Sequence, residues 1–123
     1  MKKKITSINI NVELDKNKIP ENINWNATDG DVKNQEAKAF LLSIWDAKKI
    51  ETLKIDLWVK DMSLEHMKIF FHQSLVAMSE TFYKSTKDEK MALTLKDFCD
   101  YFAEKMDLKK YFIFFKIFIE FFD

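Results

Sequence analysis

Glycine, proline and cysteine each occur once in the 123 residues. A single glycine, Gly30, excludes the glycine-rich phosphate loops, which need several glycines to bring backbone amides against a phosphate. A single cysteine, Cys99, excludes an internal disulfide, so nothing ties the chain to an oxidising compartment. Charge of one sign is also missing. Lys plus Arg and Asp plus Glu number 20 each, giving a formal net charge of zero. That balance argues against nucleic acid, whose phosphates need a surplus of positive charge on one face. The metal, redox and nucleophile signatures H-E-x-x-H, C-x-x-C and G-x-S-x-G are absent. Lys2, Lys3 and Lys4 imitate the basic start of a signal peptide, but Ile5 to Leu14 alternates apolar and polar residues where an apolar run would follow. No cysteine lies near the start to carry a lipid. The expectation is a cytoplasmic protein with the lysines as a solvated terminus.

Apolar and aromatic residues are abundant. The chain is 47% hydrophobic and 15% aromatic, with twelve Phe, three Trp and three Tyr. Such a composition builds a core and is unlike that of disordered chains. The length suits one ordinary domain. We read residues 1–110 as a single α+β domain and 111–123 as an atypical aromatic C-terminal tail.

Ile8, Ile10, Val12 and Leu14 share one parity, with Ser7, Asn9, Asn11 and Glu13 on the other, which describes a strand with one buried face. Asp15 to Lys18 is a polar turn. Ile19, Ile23 and Trp25 resume the pattern, with Asn22, Asn24 and Asn26 opposite, so the two strands should form a hairpin. Pro20 belongs at a strand start or on an edge, because it cannot donate to a ladder. Thr28 to Lys33 reads as a loop. Ala37, Phe40, Leu41, Ile44 and Trp45 then fall on a helical stripe, with Asp31 or Asn34 as the cap. The period returns to two at Leu53, Ile55, Leu57 and Val59, with Thr52, Lys54, Asp56 and Trp58 on the other face. Ser63 can cap a second helix, with Glu65 in its first turn, whose inner stripe is Met67, Phe70, Phe71, Ser74, Leu75, Met78 and Phe82. Thr86 and Glu89 read as a capping box for a third helix, which points Met91, Leu95, Phe98, Cys99, Phe102 and Met106 inward. The order is β-β-α-β-α-α. A right-handed crossover would make the second and third strands parallel, giving a small three-stranded mixed sheet with helices on one face.

The tail, YFIFFKIFIEFFD, is too short to span a membrane as a helix. Three readings fit it: docking on the domain or completing a dimer, translation past the natural end of the frame, or lying on a membrane surface. The last is opposed by the lack of a basic face.

Few residues invite chemistry. His66 and His72 are six apart on one helix, so their rings point about 120° apart and cannot easily share a metal. His66 reads as a first-turn surface residue, His72 as a residue flanking the stripe, and Cys99, at the edge of an apolar stripe, as a buried, inert thiol. Asp56 and Asp61 bracket a strand end without an accompanying nucleophile or anion loop, and suit ion pairs or a cap. Met67, Met78, Met91 and Met106 sit at core positions. No catalytic, cofactor-binding or metal-ligating residue is expected. The candidate protein-binding surface is Lys54, Asp56 and Trp58. If helices cover only one side of the sheet, Trp58 looks outward among polar groups, as an amphipathic recognition residue would. The competing reading covers Trp58 with the tail or with a second copy.

Several segments together carry a resemblance: IPENINWNATDG from Ile19, NQEAKAFLLSIWD from Asn34, LKIDLWVKDM from Leu53, FFHQSLVAMSETF from Phe70 and DEKMALTLKDFCDYFAEKM from Asp88. The chain resembles the GldC family of gliding-motility accessory proteins over about residues 5–109. The tail departs from it, since family members usually stop near the position of Lys110. The resemblance implies a bacterium that glides using surface adhesins exported by a dedicated secretion machine. It implies an accessory role without enzymatic activity or cofactor, and a protein partner in that apparatus. The alternatives are a homo-oligomeric structural protein, associating through the sheet face or the tail, and a small-ligand-binding protein or enzyme.

Overall fold

The computed structural model describes residues 3–108. The readings of Lys2 and of the tail at 111–123 concern residues outside that range. The fold is α+β, with the order β1 (Ile8–Leu14), β2 (Pro20–Ala27), β3 (Val32–Ala37), β4 (Ala39–Asp46), β5 (Glu51–Trp58), α1 (Leu64–Thr86) and α2 (Glu89–Lys105). It divides after Met62 into a β unit and a helical unit.

The β1–β2 hairpin forms as the alternation predicts. Ile8, Ile10 and Val12 face Ala27, Trp25 and Ile23 across the strands, and Asn9, Asn11 and Glu13 face Asn26, Asn24 and Asn22. Period-2 side chains on antiparallel strands put like with like. Ile23 and Ala27 are buried. On the polar face the Asn11 amide donates to Asn24 Oδ1 and Asn9 Oδ1, and Asn22 donates to Glu13. Pro20 is the first residue of its strand, and its carbonyl accepts from Lys60 N–H at 3.2 Å.

The segment read as the first helix is instead two strands. β3 pairs antiparallel with β2, and β4 pairs antiparallel with β5. The architecture is therefore a three-stranded sheet, β1-β2-β3, and a two-stranded ribbon, β4-β5, where a single three-stranded mixed sheet was expected. The helical stripe Ala37, Phe40, Leu41, Ile44 and Trp45 was one of two patterns in these residues. Phe40, Leu42 and Ile44 also alternate, and cross-strand pairing with Leu57, Ile55 and Leu53 selects that alternation. With no helix between β2 and β5 there is no crossover, and every pairing among the described residues is antiparallel.

Two turns make this possible. Gly30 and Asp31 both have positive φ, at 84° and 52°, as tight antiparallel connections often require. Between β4 and β5 the Asp46 carboxylate accepts from Lys48 and Lys49 N–H at 3.0 and 3.1 Å, and Ile50 N–H donates to the Asp46 carbonyl. Lys38 alone separates β3 from β4, and its carbonyl accepts from Val59 N–H at 2.8 Å. The turn after β1 is organised by Asp15. One carboxylate oxygen accepts from Asn17 and Ile19 N–H, and the other meets Lys60 Nζ at 3.1 Å.

In the helical unit Ser63 caps α1 as expected, accepting from His66 N–H. The cap of α2 is Asp88, which accepts from Met91 N–H. Thr86, expected in a capping box, ends α1 instead, donating to the Phe82 carbonyl. α2 closes with Asp107 at φ 57° and with Leu108 N–H on the Ala103 carbonyl, a Schellman arrangement in which an aspartate holds the usual glycine position. Leu108 and Ala103 are both buried.

Two outcomes follow from these turns. Ile50 is β-branched, has φ 53° and is 74% exposed, so its left-handed backbone costs about 1 kcal/mol relative to glycine. Ile50→Gly should raise the urea midpoint by a corresponding amount, and a lower midpoint would contradict the strain. The hydrogen bonds from Ile19 and Lys60 hold the Asp15 carboxyl below its ordinary value. Its contribution to stability is complete above the unfolded carboxylate range, about pH 3.9, and is lost as pH falls through the lower folded value. Asp15→Asn keeps an acceptor for the turn but loses the ion pair, so its melting temperature should lie between those of the parent and Asp15→Ala. Equal melting temperatures for the two variants would show that the turn bonds are dispensable.

Candidate interaction surface

The register of the ribbon determines its two faces. Directly opposed residues of an antiparallel pair point the same way. Phe40–Leu57, Leu42–Ile55 and Ile44–Leu53 therefore form one wholly apolar face, and Ala39–Trp58, Leu41–Asp56, Ser43–Lys54 and Trp45–Thr52 form the other. Lys54, Asp56 and Trp58 share that second face. Lys54 Nζ lies 3.3 Å from Asp56 Oδ1 and donates to Ser43 Oγ at 3.1 Å. Trp58 is 56% exposed.

The sequence reading missed Trp45, which it placed on a helix. Trp45 is 60% exposed and stands on the same face as Trp58. Six residue positions of strand separate their cross-strand levels, roughly 20 Å at the usual rise. The face thus carries an indole near each end and a lysine–aspartate pair between them. Aromatic anchors of this kind dominate the energetics of protein interfaces. The signals that could have found Trp45 are the alternation from Phe40 to Ile44 and the turn chemistry of Asp46.

The opposite face is also open toward the ribbon's tip. Ile44, Leu53 and Ile55 are each about half exposed, at 52, 48 and 52%, while Phe40, Leu42 and Leu57 are partly covered.

The residues considered for chemistry have structural roles. Asp61 pairs with Lys38 at 3.1 Å, and Asp56 pairs with Lys54. His72, read as flanking the α1 stripe, is buried in the helical unit. Its Nε2 donates to the Cys99 carbonyl at 2.9 Å, and its ring stacks on Phe102. The inner line of α1 accordingly runs through His72 and Ser79. Phe71 and Met78, assigned to the core from their spacing, are exposed, as are Met91, Leu95 and Phe98 of α2. Cys99 is buried as expected, and burial pushes its thiol pKa up. An apolar groove of about 420 Å³ runs between the helices past Leu75, Met78, Phe82, Leu95, Phe98 and Cys99. Among the described residues no group of three or more His, Cys, Asp or Glu side chains could hold a metal, and no helix is long and apolar enough to cross a membrane.

Comparison with known proteins bears on this arrangement. The model of the GldC-like family, described as gliding motility-associated protein GldC-like, matches residues 20–108. The chain belongs to this family. No curated protein and no solved structure matches it significantly. The GldC-like region thus runs from the start of β2 past the end of α2, and includes the whole two-tryptophan ribbon.

The setting of His72 generates a pH prediction. Burial lowers its pKa, against smaller opposing effects of the Cys99 carbonyl and Asp100. The unfolded chain therefore takes up a proton before the folded one does, and stability falls as pH drops below about 6.5 toward the folded value. His72→Gln can still donate to the Cys99 carbonyl. It should flatten the decline in urea midpoint between neutral and mildly acid pH, and an unchanged decline would assign the effect to other groups.

Proposed function

We propose that the chain is a non-enzymatic accessory protein of bacterial gliding motility and its associated secretion machinery, acting from the cytoplasm by binding a protein of that apparatus. Membership of the GldC-like family supplies the setting. The observation that carries the molecular part is the exposed face bearing Trp45 and Trp58 around the Lys54–Asp56 pair. Large amphipathic rings offer much contact area at little cost in side-chain entropy, and a central charged pair fixes orientation more than it adds affinity.

The assignment of a binding role over a catalytic one is supported by where the reactive groups sit. His72 and Cys99 face the interior of the helical unit, where the His72 ring bonds α1 to the Cys99 carbonyl of α2, and the second histidine, His66, lies exposed in the first turn of α1. The carboxylates beside the ribbon are paired with lysines. Partner binding asks only that the ribbon be rigid and accessible.

The test is affinity recovery from gliding cells with the full chain as bait. Trp58→Ala and Trp45→Ala should each reduce recovery of a motility or secretion component by about tenfold or more, with far-UV circular dichroism unchanged. Full recovery with both substitutions would remove this face from the interaction.

A further inference from the structure

The outer edge of β5 is the feature that neither the family nor the tryptophan face explains. Just past the end of β5, Val59 N–H meets the carbonyl of Lys38, the residue before β4. Backbone groups alternate direction along a strand, so Leu53, Ile55 and Leu57 also turn theirs to β4. Thr52, Lys54, Asp56 and Trp58 turn theirs outward. No strand pairs with that edge among the described residues, and every residue from Glu51 to Asp56 is exposed. An open edge of this kind is a template for another strand.

The sequence of the edge selects its partner. We infer that β5 pairs antiparallel with β5 of a second copy of this chain, about a two-fold axis through Ile55. In that register Lys54 lies directly opposite the second copy's Asp56 and Asp56 opposite its Lys54. Leu53 meets Leu57, and Ile55 meets Ile55. The outward-facing residues pair only with one another, as an antiparallel ladder requires. Neighbouring registers either lose the charge pairs or oppose like charges: centring on Leu53 sets Lys54 against Thr52 and Asp56 against Ile50, with no ion pair formed. Centring on Lys54 or on Asp56 sets like charges face to face, and centring on Leu57 sets Lys54 against Lys60. Opposed like charges on adjacent strands are destabilising, and opposed unlike charges are favourable. Isologous contact closes at two copies, giving a four-stranded sheet β4-β5-β5-β4 with one continuous apolar face.

The open edges of β4 and β1 lack this selection. On β4 the charges within reach are Lys38 and Asp46. Lys38 is held by Asp61 and Glu36, and the Asp46 carboxylate caps the turn to β5. On β1 the one charged residue, Glu13, lies near the strand's end and accepts from Asn22. On β5 the pairing of Lys54 with Asp56 within one chain leaves both groups on the exposed face, where a second copy completes an alternating ring of four charges. This association uses the backbone edge of the ribbon and shares the Lys54–Asp56 pair with the tryptophan face, and light scattering on the purified chain reads it without a partner.

The test uses two single variants of the full chain, Lys54→Glu and Asp56→Lys. Each sets like charges opposite each other in its own homodimer. Light scattering on the parent should show a dimer at up to roughly 100 μM, and each variant alone should associate about tenfold more weakly. Mixed together, the two variants should recover the parent's association, because every cross-strand pair is then of opposite sign although neither chain has its internal Lys54–Asp56 pair restored. Ile55→Cys provides an independent reading. The only native cysteine is 2% exposed, and opposed residues at such a position have Cα atoms about 4.5 Å apart, within disulfide range. Mild oxidation should therefore link Ile55→Cys chains rapidly, and Leu42→Cys chains, in the middle of β4, should stay unlinked. A parent that remains monomeric, a mixture that associates no better than its components, or faster linking through Leu42→Cys would each overturn the pairing.

Discussion

Cross-strand pairing between β4 and β5 determines most of what this molecule presents. Eight residues on each strand lie in unbroken register, and that register alone decides which side chains share a face. A slip of one residue would carry Phe40, Leu42 and Ile44 onto the polar side and break the apolar stack with Leu57, Ile55 and Leu53. The same slip would separate Trp45 from Trp58. Two devices hold the register. The Asp46 carboxylate fixes the turn at one end, and the hydrogen bond from Val59 to Lys38 fixes it at the other. The paired apolar face, the two-indole face and the open edge are therefore consequences of one pairing.

The shortage of glycine has a visible structural effect. Tight turns and helix ends need residues in the left-handed region, and the chain has one glycine to offer. Lys18, Asp31, Asn34, Ile50, Lys87 and Asp107 occupy such positions instead. Aspartate and asparagine tolerate this backbone because their short polar side chains bond locally. Lys87 gains the bond from its N–H to the Tyr83 carbonyl at the end of α1. Ile50 has a backbone bond to Asp46 but no side-chain compensation, and it places an exposed branched side chain at the tip of an already apolar ribbon.

Much of the β unit was legible in the sequence. Alternation gave β1, β2 and β5 with their faces, and the placement of Pro20 followed from its missing N–H. The failure at residues 34–46 has a specific cause. Ala37, Phe40, Leu41, Ile44 and Trp45 satisfy helical spacing, while Phe40, Leu42 and Ile44 satisfy strand spacing, and local periodicity cannot rank them. Tertiary pairing does, because three apolar partners of matching parity wait on β5. In the helices the stripes were broader than the contact between them. His72 and Ser79 take inner positions while Phe71 and Met78 remain exposed, since a two-helix contact covers only a narrow line of each cylinder and polar side chains can occupy it once they are hydrogen bonded. Lys54, Asp56 and Trp58 were placed on one face correctly by parity. Trp45 was hidden by the helical misreading.

The proposed partner binding and the proposed edge pairing are compatible on geometric grounds. Edge pairing consumes backbone N–H and C=O groups in the plane of the sheet, whereas recognition through tryptophan uses side chains above it. A two-fold axis perpendicular to the sheet keeps both copies' tryptophan faces on the same side. The self-paired form would then present four indoles on one continuous surface, with the ring of lysines and aspartates at its centre. Each partner contact made by one ribbon would be repeated by the other at a fixed spacing, and linking two weak sites in this way raises their joint affinity without any new contact. A small neutral protein could in this manner hold a partner more firmly than one ribbon allows. The same arrangement doubles the apolar face behind the sheet, where Ile44, Leu53 and Ile55 of each copy already lie half exposed. Apolar side chains left open on both copies call for cover, so the proposed self-pairing and the proposed partner binding would support one another.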